Sequence, residues 1–333
     1  MIRTRLCASI LSAALLLCAV TPLSAAPAQA LEGKITGYRS VFKPGRDPSG
    51  SVLIAIRQFD CDAVTHFLLV DPFTLETSLA RAAAIDFSRE PSPAALHDTP
   101  FLRALNRHTS SPYKLQNHGA RHADFPVNGM FLTVDMCPSR RPFEKGFFTA
   151  VAELSRQSGR GTPLAIAMTG NWLESHRDEV GWLKSQVALG KLAITWVNHS
   201  YNHFYDPKTP LERNFLLAPG TDFAQEVLAT ELLMLENGLI PSPFFRFPGL
   251  VADRHLLAKL KDLALVPIGS DAWLAKGEAP QKGSIILVHG NGNEPPGIAA
   301  ALKMLRENHG VRLLPLRAAF IQEAHGEAGR MKE

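Results

Sequence analysis

From Phe125 onward the chain alternates short apolar runs with segments of helical periodicity, and this alternation restricts its fold more than any other feature. The apolar runs are too short for helices and lack polar alternation, which is typical of parallel strands buried on both faces. They start at Met130, Leu164, Leu192, Pro243, Leu265, Ser284 and Val311. Strands that alternate with helices over this length predict an α/β fold, an irregular (β/α) barrel of parallel strands.

One of the intervening helices has clear end signals. Thr221 and Asp222 can cap its start, apolar residues then recur at intervals of three and four residues, and Gly238 can end the helix. Helices of similar length fit residues 143–158, 174–189, 253–263 and 297–308.

Residues 31–125 precede the barrel pattern and form a distinct region. Ser51–Ile56 and Thr65–Val70 predict two strands that pair, and no catalytic motif accompanies them. We therefore expect a small β-containing N-terminal extension that packs on the barrel or covers one side of its cleft. The barrel domain is expected over residues 126–320, followed by a polar tail over residues 321–333.

The first thirty residues predict a secretory signal peptide. Arg3 and Arg5 precede the apolar run from Ile10 to Val20, and Ala28-Gln29-Ala30 supplies a small-x-small cleavage site. The apolar run is too short, and its flanks are wrong, for a membrane anchor. We expect a periplasmic or secreted protein that has no stable membrane insertion once residues 1–30 are removed.

The charge of the chain argues against nucleic acid as a partner. Its formal net charge is +4 at pH 7, part of this charge leaves with the signal peptide, and no basic run stands out. A hydrophobic content of 46% is that of an ordinary globular protein with a sizeable core. We therefore expect no nucleic-acid partner.

Chemically active side chains follow the apolar runs where the predicted strands end. They are Asp135, His199, Arg246, Asp271 and His289. Because the carboxyl ends of parallel strands meet at one mouth, we expect these side chains to converge. His203 lies four residues after His199, and the polar residues between them favour a turn or a first helical turn. In such a turn the two imidazoles can share a divalent cation. The chain has twelve histidines, so this spacing alone also fits chance.

Five segments around these residues can be compared with known motifs. Thr133-Val134-Asp135-Met136-Cys137-Pro138 is similar to Thr-Phe-Asp-Asp-Gly-Pro, and His199-Ser200-Tyr201-Asn202-His203 matches His-Ser/Thr-x-x-His. Arg246-Phe247-Pro248-Gly249, Asp271-Ala272-Trp273 and Ile286-Leu287-Val288-His289 follow in the same order as three further motifs. Over residues 126–318 the chain thus resembles the polysaccharide deacetylase family, also called the NodB homology domain or carbohydrate esterase family 4.

The resemblance implies a metal-dependent hydrolase that removes acetyl groups from a polysaccharide, most often one that contains N-acetylglucosamine. His199 and His203 would bind a divalent metal ion, for which zinc is expected. Such an ion polarises the amide carbonyl and lowers the pKa of a bound water molecule. Asp135 would then act as the general base and His289 as the general acid.

The resemblance also implies supporting roles for three further residues. Arg246 would hold Asp135 ionised and aimed, and Asp271 would hold the tautomer of His289. Trp273 would line the sugar subsite. Each residue has a purely structural alternative, since an aspartate can cap a helix or form a turn, an arginine can serve a structural ion pair, and a histidine can cap a loop.

The first motif departs from the family pattern, because Met136 stands where the family has a metal-binding aspartate. A thioether is a poor ligand for a borderline divalent cation, and two histidines are fewer than the three ligands usual for catalytic zinc. Three outcomes are open: Cys137 supplies a thiolate, Asp135 itself binds the metal, or metal affinity is lost. Cys137 has its own alternatives, as a small buried residue or as the disulfide partner of Cys61.

Two classes of function follow from these residues. The first is an active metal-dependent deacetylase of a polysaccharide. The second is a catalytically weak or inactive homologue that binds glycan and uses the groove as a recognition surface. The base, the two metal-binding histidines, the arginine and the acid histidine favour the enzyme, whereas the loss of aspartate at position 136 favours the binding protein.

Overall fold

The computed structural model describes residue 31, residues 33–307 and residues 312–322. The predicted signal peptide and its cleavage site lie outside the described residues, as does nearly all of the predicted polar tail. Among the helices described, none is both long and apolar enough to cross a bilayer.

The N-terminal extension forms a four-stranded antiparallel sheet. Its strands, in both chain and spatial order, are β1 (Ile35–Arg46), β2 (Val52–Cys61), β3 (Val64–Val70) and β4 (Thr77–Arg81). The predicted pairing of the two apolar stretches is confirmed by the antiparallel ladder between β2 and β3. The sequence gives no signal for β1 and β4, because most of their side chains are exposed or half-buried and they contain no apolar run.

Seven parallel strands form the second sheet and confirm the predicted α/β barrel. They are β5 (Phe131–Met136), β6 (Thr162–Met168), β7 (Leu192–Asn198), β8 (Pro241–Phe245), β9 (Val266–Pro267), β10 (Ala272–Trp273) and β11 (Ile285–His289). Their order across the sheet is β10-β11-β5-β6-β7-β8-β9. The predicted final strand is reduced to one bridge between Leu313 and Met130, and Val311 lies outside the described residues.

The helices lie mostly between the strands of the barrel, as predicted. They are α1 (Pro93–His97), α2 (Pro100–His108), α3 (Lys145–Glu153), α4 (Ser155–Ser158), α5 (Gly170–Ser175), α6 (Arg177–Ala188), α7 (Phe223–Glu236), α8 (Arg254–Asp262) and α9 (Pro295–Glu307). The predicted cap of α7 is present, because the Asp222 side chain accepts a hydrogen bond from the Gln225 amide at 3.1 Å. Thr221, the other residue predicted to cap this helix, lies directly before Asp222 and is not the capping residue.

The core has two layers because successive side chains of a strand point to opposite faces. On one face of β5 and β6, Val134 and Ile166 pack with the outer helices. On the other face, Phe131 and Ala165 pack in one cluster with Ile54 and other residues of the N-terminal extension. The extension therefore covers the inner face of the parallel sheet.

Residues 120–122 of the extension link β9, at one edge of the parallel sheet, to β11, next to the other edge. The Ala120 amide donates to the Pro267 carbonyl at 2.9 Å, and the Arg121 carbonyl accepts from the Ile285 amide at 3.2 Å. Gly119 permits this approach, since its φ is +109° and a Cβ there would lie 2.6 Å from the Pro267 oxygen. The barrel is irregular because extended chain, not a strand ladder, closes its seam.

A buried ion pair links the extension to the barrel. Arg57 on β2 and Glu231 on α7 are both fully buried, and Nη2 of Arg57 donates to Oε1 of Glu231 at 2.9 Å. Nη1 of Arg57 donates to the carbonyls of Ile56 and Leu263, and the Tyr38 hydroxyl donates to Oε2 of Glu231 at 2.9 Å. These contacts satisfy both buried charges. Loss of either partner leaves the other charge buried and unpaired, which is strongly destabilising.

We predict that Glu231→Leu lowers the free energy of unfolding by about 3–5 kcal/mol, because it leaves the Arg57 charge buried and unpaired. The double variant Arg57→Met/Glu231→Leu removes both charges and should recover most of this loss. Urea denaturation followed by tryptophan fluorescence measures both values. The control is Glu76→Ala, which breaks the exposed Arg317–Glu76 pair and should cost less than about 1 kcal/mol. Equal losses in the single and double variants would contradict the role of the pair.

Candidate active site

The structure brings five of the predicted site residues together at the carboxyl ends of the parallel strands. Asp135 on β5 and His289 on β11 are paired across the ladder between these strands. Arg246 follows β8 and reaches Asp135, and Oδ2 of Asp135 lies 3.7 Å from Nε2 of His199 after β7. The rings of His199 and His203 are 4.9 Å apart. The predicted convergence at one mouth is therefore present for these five residues, whereas Asp271 lies apart from them.

Asp135 and Arg246 form a buried ion pair at the centre of the site. Nη1 of Arg246 donates to Oδ1 of Asp135 at 3.0 Å, and Nη2 donates to the Gly269 carbonyl at 2.9 Å. Burial by itself raises the pKa of Asp135, but the charge of Arg246 outweighs burial and holds the pKa below its ordinary value. Asp135 is therefore an ionised carboxylate aimed at the mouth.

The segment from His199 to His203 is an irregular loop, so the helical turn, one of the two conformations predicted here, is wrong. Ser200 and His203 have positive φ angles of 67° and 50°, which a right-handed helix does not contain. The carboxylate of Glu226 holds the loop by accepting from the amides of Tyr201 and Asn202, both at 2.8 Å. The two imidazoles approach each other through this side-chain support instead of helical spacing.

A close approach by helix α5 also supports this loop. Gly170 donates its amide to the Ser200 carbonyl at 3.1 Å. A Cβ at Gly170 would overlap the ring of Tyr201, so only glycine allows the loop and the helix to meet.

His199 presents one defined nitrogen to the mouth. Its Nδ1 donates to the Arg246 carbonyl at 2.7 Å, which leaves the lone pair of Nε2 directed at Asp135 and Cys137. Burial is the largest influence on the pKa of His199 and lowers it, so the ring is neutral. A neutral imidazole whose other nitrogen is engaged in this way is a suitable metal ligand.

Cys137 completes a group of three possible metal ligands. Its Sγ lies 3.6 Å from Nε2 of His199, and the ligand atoms of Cys137, His199 and His203 all lie within 4.8 Å of one another. Two imidazole nitrogens and one thiolate form a donor set typical of catalytic zinc, which keeps a fourth position for substrate or water. These three residues fit a divalent ion, and Asp135 is engaged by Arg246 instead.

The thiol of Cys137 has the chemistry that a ligand needs. Burial by itself raises its pKa, but His203 and then His289 outweigh burial and lower the pKa to about 7. Cys61 and Cys137 both lie in the described part of the chain, and no disulfide joins them, because Cys61 is on β2 within a separate cluster that contains Phe59. Met136 points away from the site into the core beside Val134.

His289 is paired with Glu294 in the structure. Its Nδ1 lies 2.8 Å from Oε2 of Glu294, in an ion pair whose N–H is not aimed along the line between the two atoms. Burial by itself lowers the pKa of His289, but Cys137 and Glu294 outweigh it and raise the pKa well above its ordinary value. Trp273 donates its indole N–H to the same Glu294 oxygen at 2.9 Å and lies 6.0 Å from the His289 ring.

The predicted contact between Asp271 and His289 is wrong. Among the described residues, Asp271 contacts Nδ1 of His122 at 2.7 Å and the Ile285 amide at 3.2 Å. Asp271 does not end β9 but precedes β10, whose Ala272 pairs with Ile286. It therefore lies beside the start of β11, about 13 Å along the strand from His289 at its end.

Two supporting residues were missed by the sequence analysis. Glu294 comes five residues after His289 in a loop rich in glycine and asparagine, and its closeness to the fifth motif was the one available signal. Glu226 is in the first turn of α7, where an acidic residue is common for helix stability alone. Neither residue belongs to any of the five motifs.

Comparison with known proteins gives matches to both parts of the chain. A family model described as the RP012 protein N-terminal domain matches residues 36–90, which contain nearly all of the N-terminal sheet. Among solved structures, a family 4 carbohydrate esterase from Bacillus anthracis is 19% identical, covers 60% of this chain and 86% of its own, and has a TM-score of 0.42. PdaA, a family 4 carbohydrate esterase from Bacillus subtilis, is 18% identical over 62% of this chain and 84% of its own, with a TM-score of 0.41.

A third match is a pseudoenzyme of the same family. This protein from Bacillus anthracis is 13% identical, covers 57% of this chain and 64% of its own, and has a TM-score of 0.38. All three are family 4 carbohydrate esterases by name. They belong to the family that the sequence motifs resemble. Because the identities and TM-scores are low, the chemistry of this site has to be derived from its own side chains.

We predict that Cys137→Ala weakens binding of a divalent metal by at least about 100-fold, since loss of a mere supporting contact already costs about 10–100-fold. Titration of zinc against a competing chelator measures the affinity. The matched control is Cys61→Ala, which removes the other buried cysteine and should leave metal affinity unchanged. In the parent protein, bound metal should protect Cys137 from alkylation and chelation should expose it. Unchanged affinity in Cys137→Ala would exclude the thiolate as a ligand.

Proposed function

We propose that this protein is a metal-dependent hydrolase that removes acetyl groups from a polysaccharide containing N-acetylglucosamine. The observation that carries the proposal is the placement of Cys137, His199 and His203 beside an ionised Asp135 and a cationic His289. Together they supply a metal site, a base and an acid around one mouth. We further propose, from the predicted signal peptide, that the protein acts in the periplasm or outside the cell.

The three ligands would hold a divalent ion, and zinc suits two imidazoles and a thiolate best. A divalent ion bound there supplies polarisation of the acetyl carbonyl and a lower pKa of water, which the otherwise unreactive amide needs. The neutral state of His199, fixed by its bond to the Arg246 carbonyl, keeps Nε2 available as a ligand.

Asp135 would take a proton from the attacking water as its oxygen bonds to the acetyl carbon. Arg246 keeps this carboxylate ionised before the reaction and aims it through the 3.0 Å contact with Oδ1. His289 would then give its proton to the nitrogen as the C–N bond breaks. The products are acetate and a free amine on the sugar.

Glu294 is the positioning residue for His289 in this scheme. Its carboxylate stabilises the cationic imidazole and is itself fixed by the indole N–H of Trp273. Asp271, the acid that the resemblance assigned to this task, is bound to His122 instead and lies beside the start of β11.

The second candidate function is a catalytically weak or inactive homologue that binds glycan. The observation that favours it is Met136, which replaces a metal-binding aspartate of the family and lies in the core. If Cys137, His199 and His203 hold a metal only weakly, the protein keeps the groove but loses turnover.

We predict that Asp135→Asn and His289→Ala each lower turnover by about two to four orders of magnitude, the usual contribution of general acid–base catalysis. Release of acetate from a hexamer of β-1,4-linked N-acetylglucosamine by the zinc-loaded protein measures the rate. Thermal melting shows whether each variant keeps its fold, since Asp135→Asn disturbs a buried ion pair. Absence of both bound metal and acetate release in the parent protein would leave the glycan-binding alternative.

We also predict different effects for the two acidic residues Glu294 and Asp271. Glu294→Gln should lower kcat by about tenfold or more, because it removes the ion pair that orients and charges His289, which is part of the acid–base contribution. Asp271→Asn should change kcat by less than about twofold, because Asp271 is remote from His289. KM should change little in both variants. The reverse order of effects would restore Asp271 as the partner of His289.

A further inference from the structure

A cavity that the proposed reaction does not use opens beside the metal-ligand loop. Its volume is about 910 Å³, within the range of ligand pockets. It is lined by Asn171, Asn202, Phe204, Thr209, Pro210, Arg213, Ala218, Pro219, Gly220, Thr221, Asp222, Gln225 and Glu226. Asn202 directly precedes the ligand His203, so the cavity begins one residue from the proposed metal site.

The cavity lies on the same rim of the barrel as the active site. Asn171 follows the carboxyl end of β6, and the remaining lining residues follow the carboxyl end of β7, in the loop that leads to α7 and in the first turn of that helix. Because the catalytic side chains also stand at carboxyl ends of strands, a polymer in the mouth can continue into this cavity.

The loop that forms the outer wall of the cavity is held by its own hydrogen bonds. Asn214 accepts from the Asp206 amide at 3.0 Å and donates to the carbonyls of Asp206 and Thr209 at 2.6 and 2.9 Å. The Thr209 hydroxyl donates to the Asp206 carboxylate at 2.6 Å. The ring of Tyr205 stacks on Phe215 at 5.1 Å. A loop fixed in this way binds ligand with little loss of conformational entropy.

The lining has the side chains that suit a sugar. Phe204 is a large aromatic residue that is 51% exposed, and its ring offers an apolar face to the C–H face of a pyranose. Asn171, Thr221 and Gln225 provide hydrogen-bond donors and acceptors for hydroxyl and acetamido groups. Phe204 thus gives the cavity an aromatic face beside hydrogen-bonding side chains, which is the combination that a carbohydrate subsite needs.

A second cavity continues the first one toward the N-terminal sheet. Its volume is about 500 Å³, and it shares Asn202, Gln225 and Glu226 with the first. At its far end it is lined by Tyr38 of β1 and by the carboxylates of Glu174 and Glu236. These carboxylates would repel a polyanionic glycan, whereas neutral and amino sugars meet no such repulsion.

We propose that these two cavities form one groove that binds sugar units next to the unit whose acetyl group is removed. The groove takes a neutral or amino-sugar polymer and excludes a polyuronate. This inference rests on the proposed function for the identity of the glycan, but the groove itself is formed by residues outside the catalytic set. Through Tyr38, the N-terminal extension contributes to its far end.

The test is calorimetric titration of the metal-free protein, which binds without turnover. The probes are the dimer and the hexamer of β-1,4-linked N-acetylglucosamine, with oligogalacturonate as the anionic probe. Phe204→Ala should weaken hexamer binding by about tenfold and change dimer binding by less than twofold, as is usual for truncation of an aromatic anchor. The matched control is Phe73→Ala, which removes a phenylalanine of nearly equal exposure, 52%, in the turn between β3 and β4 and should have no effect.

The outcomes separate the groove from the reaction. Binding of the hexamer that depends on Phe204, in a protein that releases no acetate when loaded with metal, supports the groove and contradicts the proposed function. Acetate release with hexamer binding that is equal in the parent and in Phe204→Ala overturns the groove alone. Oligogalacturonate binding as tight as hexamer binding overturns the proposed chemistry of the groove. Failure of the parent to bind the hexamer overturns the groove as well.

Discussion

The buried ion pair of Asp135 and Arg246 is the interaction on which the site depends. Arg246 lies at the centre of the barrel mouth with no exposure, so its charge has to be satisfied entirely by the protein. Its guanidinium reaches Asp135 and the Gly269 carbonyl, and its own carbonyl accepts from His199. One residue thus sets the ionisation of Asp135, the position of the chain after β9 and the tautomer of His199. The cost of burying the charge is offset only when all of these partners are in place.

Helix α7 connects this site to the N-terminal extension. Glu226 in its first turn holds the loop that carries His199 and His203, and Glu231 further along the helix pairs with Arg57 of the extension. The extension also closes the barrel seam at residues 120–122 and fills the inner face of the parallel sheet. The extension is therefore part of the scaffold that positions the ligand loop.

The departure at Met136 changes how a metal can be held. Successive residues of β5 point to opposite faces, so Asp135 faces the mouth and Met136 faces the core. Cys137, just past the strand, turns back toward His199 and His203 and offers sulfur. The side-chain amide of Asn291 donates to the Cys137 carbonyl at 2.7 Å, which fixes this turn. A candidate metal-ligand group of Cys137, His199 and His203 is thereby assembled beside Asp135 and His289.

Much of the fold and part of the site can be predicted from the sequence, for reasons visible in particular residues. The apolar runs predict β5 to β9 and β11 because burial on both faces leaves a pattern within a few residues. Strands β1 and β4 leave no such pattern, and β10 is only two residues long. Asp135, His199, His203, Arg246 and His289 are recognisable because each stands at or just beyond a strand end inside a motif.

Local periodicity and short motifs predict the order of most barrel elements, the α/β architecture and most of the side chains in the site. The acid that pairs with His289, the donor that lies beside the two histidines and the closure of the barrel seam are visible in the tertiary structure alone. From their places in the chain, Asp271 and Glu294 are both plausible partners of His289. The register of β10 on β11 places Asp271 beside the start of β11, whereas Glu294 lies next to His289. Such choices depend on contacts between residues distant along the chain, which strand register and burial set and which no local pattern records.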